Sequence, residues 1–136
     1  MMKMDQRLEN FTTNPPADCN HLADAETHFG KPLPTQYRRF MAEQDGGEGF
    51  VGDQYLILWR AAELVEFHRE YEAEKYAPGL VLFGSNGGGE AFAFDTREGS
   101  MRIVMVPFVG MSLKDVAPVA DSFENFLSNL ADGTLT

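Results

Sequence analysis

The chain is short of positive charge. Eleven lysines and arginines stand against twenty-one aspartates and glutamates, a formal net charge of −10 over 136 residues. Contact with phosphates needs Lys and Arg, so no nucleic acid is expected as a partner, whereas a basic protein is admitted. Cysteine is nearly absent. Cys19 stands alone and no internal disulfide can form, which fits a reducing, cytoplasmic setting. No basic cluster lies near Cys19 in sequence, so it reads as a small, half-buried helix residue and not as a reactive thiol. Long apolar runs are missing too. Nothing approaches the ~20 residues of a membrane span, and the N-terminus lacks the apolar core of a signal peptide, so neither a membrane nor export is expected. There is no zinc-spaced Cys/His set and no nucleophile elbow. His21 and His28 share a helix without a third ligand and read as surface histidines. Neither a metal nor a cofactor is expected.

What is present is ordinary for one globular domain, with 43% hydrophobic residues. The centre is LVLFGSNGGGEAFAFD, from Leu80 to Asp95. Leu80 to Phe83 is a short apolar run, Gly84 to Gly89 is a reversal rich in glycine, and the chain then alternates through Phe92 and Phe94. This predicts two strands joined by a tight loop, with both phenylalanines on one buried face. Around it, Leu22, Ala25 and Phe29 give a helix stopped by Gly30. A second helix is opened by Pro34, runs to about Gln44, and buries Tyr37, Phe40 and Met41. Phe50 to Trp59 reads as strand with a bend or bulge at Gly52-Asp53. Arg60 to Ala77 reads as one long helix. Arg102 to Phe108 is a further sheet segment, followed by a less regular link, and Ser122 caps a last helix that buries Phe123, Phe126, Leu127 and Leu130. Residues 1–16 form an N-terminal extension, a short helix or loose tail ended by Asn14-Pro15-Pro16. The domain takes residues 17–131, with Asp18 at its first helix start, and residues 132–136 are a tail. The expected fold class is α+β: a single domain with an antiparallel sheet, a central Gly-loop hairpin and helices packed around it.

Several stretches invite a chemical reading. A phosphate-binding loop needs a lysine and a helix after the glycines, but here Glu90 and a strand follow, so the loop reads as a turn. Asp95-Thr96-Arg97-Glu98-Gly99 fails as a calcium loop because Arg97 fills a ligand position. Glu90 and Asp95 are candidate carboxylates, and with Trp59 they outline a candidate pocket for a small ligand or an enzyme's substrate. However, no nucleophile, base and orienting group come together by spacing. His68 falls on the apolar arc of the long helix and reads as a packed, hydrogen-bonded core residue. The strongest charge feature spans Glu43 to Glu74, nine acids against Arg60 and Arg69. On a continuous helix Glu63, Glu66, Glu70 and Glu74 form an acidic ridge, which the loop acids Asp45, Glu48 and Asp53 extend. This is the candidate partner-binding surface; otherwise it is a solvated face.

The order of these features resembles a known family. Leu33-Pro34 opens a helix with Tyr37 and Phe40, and Asp45-Gly46-Gly47 follows. Next come Leu58-Trp59, Tyr76-x-Pro78-Gly79 and the stretch from Phe83 to Asp95, and the set closes with Ser122-Phe123-x-x-Phe126-Leu127. Together they are similar to the SUKH superfamily, which includes the Smi/Knr cell-wall regulators of fungi and many bacterial immunity proteins. The resemblance covers residues 17 to 131. It implies an α+β fold and a non-enzymatic binding protein with no catalytic residues to carry over. Bacterial members are typically antitoxins, many of them against nucleases, so the implied partner is a basic toxin domain; a regulatory scaffold is the fungal alternative.

Overall fold

A computed structural model of the chain describes residues 8–16 and 19–133. Among the described residues seven strands form one antiparallel sheet whose spatial order is the order of the sequence. The strands are β1 (Asn10–Thr13), β2 (Gly47–Val51), β3 (Gln54–Leu58), β4 (Leu80–Ser85), β5 (Glu90–Asp95), β6 (Arg102–Pro107) and β7 (Ala117–Ala120). Helices α1 (Cys19–Phe29) and α2 (Thr35–Glu43) lie between β1 and β2. Between β3 and β4 come a 3-10 turn (Ala61–Glu63), α3 (Leu64–Glu70) and α4 (Ala73–Tyr76), and α5 (Phe123–Asp132) follows the sheet. The expected α+β class and the central hairpin are therefore present.

The core follows from the alternation of the strands. Leu58, Gly84, Phe92 and Met105 stand in one row across β3 to β6, and Ile57, Ser85, Ala91 and Val106 in the next, pointing to the opposite face. On the first face the aromatic residues of β4 and β5 meet those of α2 and α5. Phe83 stacks on Phe94 at 4.4 Å, Tyr37 meets Phe94 edge-on at 5.1 Å, and Phe92 meets Phe126 at 4.8 Å. Phe92 and Phe94 are both fully buried, as the period-two pattern requires. Tyr37, Phe40 and Met41 form the buried stripe of α2. Ser122 caps α5 by accepting a bond from the Asn125 N–H, and Gly133 ends it in a left-handed conformation. On the second face α3 and α4 pack against β4.

Four local readings are corrected. Residues 10–13 are neither helix nor loose tail but a strand, pairing Phe11 with Gly49. The bend at Gly52-Asp53 is a full hairpin turn between β2 and β3. The irregular link after β6 contains β7, with Pro118 opposite Val104, tolerated because β7 is a sheet edge. Arg60 to Ala77 is not one helix. The chain breaks at Tyr71-Glu72, where Glu72 takes a left-handed conformation (φ 53°, ψ 44°). A straight helix would carry the apolar arc on to Glu72 and Lys75; the break brings Ala73 and Ala77 inward instead, both fully buried. The readings of Asp18 as a helix cap and of the Cys19 side chain lie outside the described residues.

Candidate functional site

The glycine loop is a closed turn. The Asn86 side-chain oxygen accepts bonds from the N–H groups of Gly88 (2.8 Å) and Glu90 (3.2 Å), and the Ser85 hydroxyl accepts one from Gly87 (3.0 Å). These donors are occupied within the loop, and a strand follows it. Both facts support the turn over a phosphate cradle.

The acidic ridge does not survive as one line. Glu66 and Glu70 are exposed and one turn apart on α3. Glu63 is half-buried, and its carboxylate accepts a 2.9 Å bond from the Arg60 N–H. Glu74 lies beyond the break, 3.9 Å from His28 Nε2 on α1. Asp45 is not a surface acid. It is 7% exposed, and its Oδ1 accepts a 2.8 Å bond from the Ala61 N–H, closing the start of the turn after β3. Its charge, after burial, helps push the buried Tyr37 hydroxyl far above the ordinary phenol range. Glu48 and Asp53 are exposed on the β2–β3 hairpin, and the Tyr55 hydroxyl donates to Glu48.

Trp59, Glu90 and Asp95 do not share a pocket. Trp59 belongs to an aromatic group with Phe67 (4.8 Å) and Tyr71 (6.3 Å), and Phe108 closes on Tyr71 at 4.4 Å. Glu90 is at that end of the sheet, opposite Pro107, and accepts a bond from the Asn86 side chain. Asp95 stands at the other end of β5, roughly 17 Å away at ~3.4 Å per residue. There Arg97 binds both of its oxygens at 2.9 and 2.8 Å, and Arg102 adds a 3.5 Å contact. Hydrogen bonds from Arg97 outweigh the cost of burial and hold the Asp95 carboxyl down at about 2. Asp95 is thus a structural anchor. Among the described residues no cluster of His, Cys, Asp or Glu has the makings of a metal site, and no helix is long and apolar enough to cross a membrane.

His68 is packed as expected, 4% exposed, with Phe29 edge-on at 4.8 Å. However, its Nδ1 has no hydrogen-bond partner among the described residues. Burial lowers its pKa below 6.5, against a smaller raising effect of Glu74, and His28 nearby lowers it further. The folded state then binds fewer protons than the unfolded chain. Stability from this residue is complete above the unfolded value of about 6.5 and is lost as pH falls toward the folded pKa. The midpoint of urea unfolding should fall between pH 7 and 5, and His68→Leu should reduce that pH dependence. An unchanged slope would contradict the assignment.

The family is decided by a match running from residue 16 to residue 129, most of the chain, to the model of the SMI1 / KNR4 family (SUKH-1). The chain belongs to this family. The match takes in the Asp45-Gly46-Gly47 turn, both aromatic groups and the first seven residues of the closing helix. Within this SUKH-1 domain, Asp45 and the glycine loop carry structural hydrogen bonds, whereas Glu48, Asp53, Glu66 and Glu70 remain on the surface. No curated protein matches the sequence.

Sequence reasoning missed the exposed aromatics. Phe50 is 50% exposed, Tyr71 38% and Tyr76 45%. For Phe50, alternation along β2 and β3 is the available signal. A reading of Phe50 to Trp59 as one strand masks it, since a turn at Gly52-Asp53 resets which residues share a face.

Proposed function

We propose that this SUKH-1 chain is a non-enzymatic protein-binding module, an immunity protein that neutralises a basic toxin domain by direct contact in the cytoplasm. Membership of the family over residues 16–129 carries the reading. The charge of −10 supports it, because complementary charge speeds encounter with a basic partner and disfavours wrong ones. Immunity genes typically sit beside the genes of their toxins. Co-expression with the toxin domain encoded next to this gene should restore growth and yield a complex. If neither rescue nor complex appears, the proposal fails, and a stable complex with a non-toxin protein would move the chain to the regulatory scaffolds.

The exposed pair Glu66 and Glu70 should steer that encounter. Replacing both with glutamine is expected to slow association severalfold and flatten its dependence on ionic strength, since attraction between exposed charges decays over ~8–10 Å in physiological salt. Folding should be unaffected, as both side chains are exposed. Stopped-flow association rates across a salt series are the measurement. Identical rates and slopes would return these two residues to the role of a solvated face.

A further inference from the structure

On the second face of the sheet α3 and α4 pack against β4, whereas on β2 and β3 that face leaves Glu48 and Phe50 exposed and Tyr55 and Ile57 half-buried. On β2 and β3 the alternation puts Glu48, Phe50, Tyr55 and Ile57 together. The Phe50 and Tyr55 rings meet edge-on at 5.1 Å, yet Phe50 remains half exposed. The opposite face of the same strands holds Val51, Leu56 and Leu58, all buried. The Tyr55 hydroxyl takes Oε2 of Glu48, and among the described residues no hydrogen bond engages Oε1. Gly87 of the central loop lies close beside the Tyr55 ring. From Gln44 to Trp59 there is no lysine or arginine.

We propose that this open face of β2 and β3 is a docking surface for an arginine side chain of a basic protein partner, received by Glu48 against the Phe50–Tyr55 pair. The inference rests on the protein-binding reading above and names the surface that reading requires. A guanidinium is flat and always charged. It stacks on an aromatic ring while donating to a carboxylate, which a lysine ammonium does less well. Tyr55 holds the carboxylate beside the rings before any partner arrives, so less ordering is needed on binding. A second copy of this chain is a poor occupant, since it would bring the same acidic strand face and the same charge of −10.

The test uses the full chain, isotope-labelled for NMR, titrated at low salt with an alternating Gly-Arg octapeptide and its Gly-Lys counterpart. Amide shifts should concentrate on residues 48–57 and Gly87, and the arginine peptide should bind about three- to tenfold more tightly, the range expected for stacking on partly exposed rings. The double variant Phe50→Ser, Glu48→Gln should lose these shifts while keeping its melting temperature within a few degrees. Equal affinity for the two peptides, shifts gathered on α3, or an indifferent variant would overturn the proposal. The same variant is then measured against the toxin domain encoded next door. A complex as tight as that of the wild type overturns the surface and leaves the immunity reading standing. No complex even with the wild type, beside a positive peptide result, removes the immunity reading and leaves the surface standing.

Discussion

Replacing Phe94 with alanine is expected to destabilise the fold by ~3–5 kcal/mol, the cost of emptying a fully buried aromatic site. The position is exacting because Phe94 is the ring that links two layers. It stacks on Phe83 within the sheet and meets Tyr37 of α2, which in turn meets Phe123 of α5. Neighbours fixed in this way cannot collapse into the space, so the cavity term is retained in full. Phe92→Ala falls in the same range but nearer its lower end, since among the described residues Phe126 is its one aromatic neighbour. Domains of this size are stable by only ~5–15 kcal/mol, so urea unfolding should show a large loss of midpoint for both variants. A near-neutral result at both positions would mean that the register of β5 is wrong.

The second large effect is expected at Gly46. This residue has φ +75°, and a Cβ there would come within 2.4 Å of the Leu58 carbonyl oxygen and 2.8 Å of that of Trp59. Both obstacles are backbone and cannot rotate away. Gly46→Ala should therefore destabilise by on the order of 2–3 kcal/mol, adding left-handed strain to a clash. The variant should also loosen its surroundings, because the Gly46 carbonyl accepts the Asn14 N–H and Asp45 beside it holds Ala61. Hydrogen exchange should rise in residues 10–14 and at Ala61. A variant with wild-type stability and unchanged exchange would show that the turn has room to move.

These two positions also show what the sequence discloses and what it hides. Phe92 and Phe94 were legible because the information is local: alternation, a glycine turn on one side, a buried run on the other. The α2 stripe and the Ser122 cap were legible for the same reason, each being written within a few residues. The strand at Asn10–Thr13 was not. It has one apolar residue, Phe11, and exists because Gly47 and Gly49, far along the chain, let the backbones approach. Asp45 was misread as a surface acid because nothing nearby in sequence shows that Ala61 will offer it an N–H. The ridge failed at Glu72, where no glycine or proline marks the break; the need to bury Ala73 and Ala77 decides it. The grouping of Trp59, Glu90 and Asp95 failed on simple length, since a six-residue strand holds its two ends far apart.

The sequential order of the sheet has a consequence for the birth of the molecule. Each strand pairs with the strand before it, so the sheet lengthens one edge at a time as the chain leaves the ribosome. Its aromatic face cannot close during that growth. Phe123 and Phe126, which complete the ring cluster over Tyr37, Phe83 and Phe92, arrive only with α5, and the same helix brings Ala131 against the Gly52 turn of the first hairpin. Until those ten residues emerge, the nascent chain carries a nearly complete sheet whose aromatic face is covered by α2 alone, and the interval between β7 and α5 is when a chaperone has the most to hold.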